Sequence, residues 1–101
     1  MRAGLEKILA DGRDSPMLRL SLGQACLRDG DREDAIAHLR AAVEQDPGYS
    51  AAWKVLGKAL AEGGWVERAI EAYDQGITIA RQQGDLQAAK EMEVFRRRLQ
   101  R

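Results

Sequence analysis

Shifted by 34 residues, the chain matches itself. Comparing 16–49 with 50–83 pairs Leu22 with Leu56, Gly23 with Gly57, Ala25 with Ala59 and Gly30 with Gly64. Glu33 then falls on Glu67, Ala35 on Ala69 and Ile36 on Ile70. The phase reaches further back, because Leu5, Leu39 and Tyr73 are 34 apart, as are Leu9, Val43 and Ile77. A fixed period of this length marks an array of stacked supersecondary units, each burying its apolar face against the next. The identities fall mostly on small and apolar residues, where packing between elements constrains a chain most.

Each unit reads as two helices. In the first, Leu18, Leu22, Ala25 and Cys26 share a face at helical spacing. Ser15 before Pro16 supplies an N-cap followed by proline at the first helical position. Gly30 accepts the left-handed geometry of a helix C-terminus, and Asp31 is placed to cap the next helix. That helix carries Ala35, Ile36, Leu39, Ala42 and Val43 on one face and stops at Asp46-Pro47-Gly48. The second unit repeats the scheme, with Ala52, Val55, Leu56, Ala59 and Leu60 on one stripe, Gly63-Gly64 as the turn, and Ala69, Ile70, Tyr73, Gly76, Ile77 and Ala80 on the other. Gly23, Ala35, Gly57 and Ala69 are small where two antiparallel helices must approach closely and a larger neighbour fills the gap.

These residues resemble the tetratricopeptide repeat family. Trp53-x2-Leu56-Gly57-x2-Leu60 with Ala69-x3-Tyr73 follows that family's signature closely. The first unit follows it more loosely, through Leu22-Gly23-x2-Cys26, Ala35-x3-Leu39 and Pro47, with Arg19 where the signature has tryptophan. Arg81 stands where the second unit would have its proline, which predicts a fourth helix running on toward Gln83. The resemblance implies an all-α right-handed superhelix of antiparallel helix hairpins. It also implies a non-catalytic module that binds a protein or peptide in a concave groove lined by the first helices.

The expected organisation is one domain over 1–101, with repeats at 16–49 and 50–83. An N-terminal helix at 2–11 resembles the second half of a repeat. A last helix over 85–100 starts too early for a third full repeat and reads as a cap. That makes about six helices. Sixteen basic and sixteen acidic residues give a formal net charge of zero. Such a balance does not mark a general nucleic-acid binder. One cysteine rules out an intrachain disulfide and fits a reducing compartment. With no apolar run of membrane-spanning length and no signal peptide, the chain reads as cytoplasmic.

The search for chemistry ends without an active site, cofactor or metal site. A lone histidine, His38, excludes two-histidine metal motifs, and its place beside the apolar stripe reads as a surface residue. Cys26 lies on the core stripe, where a nucleophile would lack exposure and a cationic neighbour. Gly63-Gly64 joins two helices rather than a strand and a helix, unlike a phosphate loop. Arg96, Arg97, Arg98 and Arg101 form the one basic run. It has two readings: charge favourably placed at a helix C-terminus, or contact with phosphate or an acidic partner. No aromatic residue interleaves these arginines, which weighs against RNA.

The groove stripe expected from helical geometry is Met17, Leu20, Gln24, Leu27 and Arg28 on one first helix, and Lys54, Lys58 and Ala61 on the next. Lys54 and Lys58 are like charges four residues apart, mildly unfavourable on a helix, and point to a carboxylate partner. Leu20 and Leu27 read either as an apolar floor or as packing against the N-terminal helix. The expected ligand is a peptide with acidic and apolar residues. Homodimerisation through 85–101 is the competing reading. Trp65 reads as a staple over its turn or as an exposed anchor.

Overall fold

The computed structural model describes residues 1–100, which form six α-helices. In order these are α1 (Arg2–Ala10), α2 (Pro16–Arg28), α3 (Arg32–Gln45), α4 (Ser50–Glu62), α5 (Val66–Gln82) and α6 (Leu86–Leu99). Arg101 lies outside the described residues. Ser15 opens α2 as expected, its hydroxyl accepting from the Leu18 amide at 3.0 Å, with Pro16 in the first turn. Asp85 does the same for α6 through the Ala88 amide. Asp31 is the correction: it occupies the N-cap position of α3 but makes no capping bond. Its carboxylate turns instead to Arg2, 29 residues earlier.

Four turns share one closure. Gly12, Gly30, Gly64 and Gly84 sit at φ +87°, +77°, +86° and +77°, a region that only glycine enters without steric cost. In each, the next amide reaches back five residues: Arg13 to Ile8, Asp31 to Cys26, Trp65 to Leu60, Asp85 to Ala80. So α5–α6 is as tight a hairpin as α2–α3 and α4–α5. The α3–α4 link is different, built on Pro47 with the Gly48 amide bonded to Asp46 Oδ1. With Arg81 in place of a second proline, α5 continues to Gln82 and α6 begins at once.

Small residues seat large ones along the hairpins. A Cβ on Gly23 would lie 2.6 Å from Leu39 Cγ, and one on Gly57 would lie 2.5 Å from the Tyr73 ring. The same trade recurs between α5 and α6, where a Cβ on Gly76 would meet Met92 Sδ at 2.5 Å. Leu22, Leu39, Leu56, Leu60, Met92 and Cys26 are the largest fully buried side chains. The molecule measures 40 × 28 × 18 Å, and 18 Å is about two helix diameters, so one core lies between two layers of helices. Among the described residues no helix is long and apolar enough to cross a membrane.

Candidate binding surface

The first helices of the hairpins meet on one face, where α4 touches both α2 and α6. Leu20 is only 9% exposed and belongs to the core, which corrects the expectation that it opens into a groove. Helical geometry fixes the direction of a side chain but not how near the next helix comes, and here the neighbours close over it. Leu27 and Ala61 pack against the same core half-buried. What this face offers outward is Met17, 70% exposed, with Gln24, Arg28 and Lys58.

Lys54 is already paired. Its Nζ donates to Glu91 Oε2 on α6 at 3.3 Å. The carboxylate that the two lysines call for is thus supplied, at Lys54, from within the chain. Sequence reasoning missed Glu91 because the pair joins residues 37 apart on two different helices, which spacing along one helix does not show. Neither Arg28 nor Lys58 has a carboxylate partner among the described residues, and Glu62 does not reach Lys58.

Beside this face, Arg19 holds the place that tryptophan fills in the second hairpin. Its guanidinium donates twice to Asp14, at 2.9 and 3.0 Å, and once to His38 Nδ1 at 3.1 Å. Gln45 adds a bond to the same Asp14 carboxylate. The Arg19 guanidinium lowers the Asp14 pKa to about 2. Because arginine only donates, Nδ1 must be the accepting nitrogen, so His38 is neutral with its proton on Nε2. Burial, and then the charge of Arg19, push its pKa below the ordinary histidine value. In the second hairpin Trp53 does the corresponding bracing, its Nε1 donating to Pro47 O at 2.8 Å.

At the N-terminal end Arg2 bridges α1 to the α2–α3 turn. Its guanidinium reaches Asp31 at 3.0 Å, Asp34 at 3.1 Å and Asp29 at 3.4 Å. Asp31 is held below the usual carboxylate range chiefly by that contact.

The remaining candidates are placed just as plainly. Cys26 is fully buried, and burial pushes its thiol upward, the reverse of what activates a nucleophile. The basic run is partly committed: Arg96 pairs with Asp74, and Arg98 lies over the Phe95 ring at 6.0 Å. Arg97 is exposed, and Arg101 falls outside the described residues. Trp65 combines its two readings. Its ring occupies the space where Gly63 lacks a Cβ, yet it stays 40% exposed.

A feature absent from the sequence reading lies on the opposite face. There the backbones of α3 and α5 stand apart, and α4 is the floor of the gap between them. The gap is a depression of about 700 Å³ lined by Arg40 from α3, Trp53, Leu56 and Leu60 from α4, and Arg68, Glu71, Ala72 and Gln75 from α5. A smaller one of about 200 Å³ adjoins it through Leu60 and Arg68 and ends at Trp65.

A family model described as tetratricopeptide repeat matches residues 2–50 and, again, 20–85. The chain is 52% identical over 101 residues to TPR repeat-containing protein PA0015 of Pseudomonas aeruginosa, covering all of this chain and 96% of that one. It is similar to the solution structure of protein BPP2914 from Bordetella parapertussis, with a TM-score of 0.84 and 42% identity over 98% of this chain and 86% of that chain. It is also similar to the crystal structure of a tetratricopeptide repeat domain protein from Salinibacter ruber, with a TM-score of 0.80 and 29% identity over 86% and 97% of the two chains.

Proposed function

Starting from the fact that the chain belongs to the tetratricopeptide repeat family, whose members are in general protein-interaction modules, we propose that it is a non-catalytic adaptor. In this reading 16–49 and 50–83 are the working repeats, and 2–11 and 85–100 shield their ends. A peptide or helix of a partner protein lies across the face built by α2, α4 and α6. The observation that carries the reading is the pair Arg28 and Lys58, exposed on adjacent helices with no carboxylate of their own among the described residues, with the exposed Met17 on the same stripe at the other end of α2. Partner carboxylates satisfy those charges, and an apolar side chain covers the methionine.

The test is capture of a partner from native lysate by the wild type and by Arg28→Glu with Lys58→Glu. The reading expects a protein held by the wild type and lost by the variant at unchanged melting temperature. Equal capture by both places binding elsewhere. Lys54→Glu is a poor probe of this face, because it also sets a carboxylate against Glu91 and disturbs α6. Self-association through α6 is the second reading, favoured by Leu86 at 61% and Val94 at 37% exposure. Sedimentation across a range of concentrations separates the two.

A further inference from the structure

We infer that the outward face of α6 is a second docking surface, separate from the face proposed above, and that it takes an acidic amphipathic helix of a second partner protein. Each helix from α2 to α5 packs against the helix before it and the helix after it. α6 packs against α5 and, more lightly, against α4, and the side it turns away from both is open. The inward side is fixed by its contacts: Met92 packs on Gly76, Phe95 lies 5.9 Å from the Tyr73 ring, and Glu91 meets Lys54. Opposite them Leu86, Lys90, Val94 and Arg97 form one stripe at helical spacing, and all four are exposed.

Charge decides the occupant. Both carboxylates of α6 are engaged, Glu91 by Lys54 and Glu93 by Arg81, and Arg96 is engaged by Asp74. What remains on the helix is Lys90, Arg97 and Arg98, three cations with no carboxylate partner among the described residues. Asp85, at the start of the helix, is turned to the Ala88 amide. The apolar part of the stripe is open as well, with Leu86 61% and Val94 37% exposed.

The pattern sorts the possible occupants. A second copy laid face to face would set three cations against three. A lipid surface calls for apolar residues on one face and cations on the other, whereas here they share a single stripe. RNA would find charge but no aromatic ring on the stripe to stack on. An acidic helix meets both features. Its carboxylates reach Lys90 and Arg97, which stand about two turns apart, and its apolar side chains cover Leu86 and Val94. From Leu86 to Arg97 the stripe is about 16 Å long, room for about three turns of a partner helix. One helical face is a small interface with exposed charges, so binding weakens as salt rises.

The probe is a synthetic amphipathic peptide of about four turns, with leucines on one face and glutamates beside them, titrated into the isotopically labelled chain. The expected result is movement of the Leu86, Lys90, Val94 and Arg97 amides. Affinity at α6 should fall on the order of tenfold or more in Lys90→Glu with Arg97→Glu. The same shifts should persist in Arg28→Glu with Lys58→Glu, which disables the first-helix face. Twin peptides with lysine for glutamate, or alanine for leucine, should bind at least tenfold more weakly, on the order of 1.4 kcal/mol. If the glutamate pair lowers the melting temperature, Lys90→Gln with Arg97→Gln repeats the comparison. Still α6 amides, or an alanine twin that binds as well as its parent, would overturn the inference. So would tighter binding of polyuridylate or of phosphatidylserine vesicles at this face, or a dimer of the free chain that the α6 variants abolish. Because the two charge-reversal pairs lie on different faces, failure here leaves the first-helix reading standing.

Discussion

The two faces of α4 meet opposite fates. On one, α2 and α6 come into contact with it, and Leu20 disappears into the seam. On the other, α3 and α5 pack more extensively along α4, yet their backbones stand apart from each other and leave the trough. The side chains explain the contrast. On the first face the burial of Leu20 removes apolar area from water, and Lys54 and Glu91 pair between α4 and α6. The facing sides of α3 and α5 carry Glu33, Arg40, Arg68 and Glu71, whose charged heads need water and keep the gap open. A helical repeat thus fixes how each hairpin closes, while the residues between hairpins decide which side stays open.

The largest effect expected from breaking this contrast is at the closed face. Leu20→Ala should cost about 2–5 kcal/mol, the range for deleting a buried leucine side chain, read by urea denaturation. A loss below about 0.5 kcal/mol would show that the seam is not packed. Next comes the hairpin joint between the two faces. Gly57→Leu should overpack Tyr73 and cost about 1–3 kcal/mol, and the lowered melting midpoint would report it. Lys54→Glu, which sets like charges face to face with Glu91, should cost at most about 1 kcal/mol. That cost should shrink in high salt, as a partly exposed pair must.

Arg40→Glu with Arg68→Glu should move stability by no more than about 0.5 kcal/mol, since both side chains are exposed and support no packing. A large loss would mean that the trough is structural rather than free. The smallest effect concerns pH. The folded chain holds His38 below its unfolded value, so the unfolded chain binds the extra proton first. The contribution is therefore full above about pH 6.5, the ordinary histidine value, and is lost as pH falls through the lower folded pKa. Denaturation midpoints of His38→Gln should lack that slope. Asp14 acts lower down: its contribution is present above the usual carboxylate range and is lost as pH falls toward about 2.

Much of this was legible in the sequence because it is local or periodic. Ser15 and Gly30 mark the ends of α2 through bonds a few residues long. The 34-residue shift that pairs Gly23 with Gly57 also pairs their large partners, Leu39 and Tyr73. What stayed hidden is set between hairpins. Asp31 reads as a cap until Arg2 is brought across to it. Lys54 reads as free until α6 delivers Glu91. Leu20 reads as open until α2 and α4 approach. The trough has no sequence mark, because Arg40 and Arg68 occupy different places in their repeats and meet only through the stacking of α3 and α5 on α4. Trp65 and Gly63 are close in sequence, yet only the fold shows the ring resting on the glycine.

The central claim, that a partner is held on the first-helix face, is tested most directly by lysine reactivity in the captured complex. Lys7, Lys54, Lys58 and Lys90 are acetylated with and without the partner, and the extent at each is read by mass spectrometry. The account predicts that Lys58 becomes protected while Lys7 and Lys90 keep their reactivity. Unchanged labelling of Lys58 in a complex that protects Lys90 would contradict it.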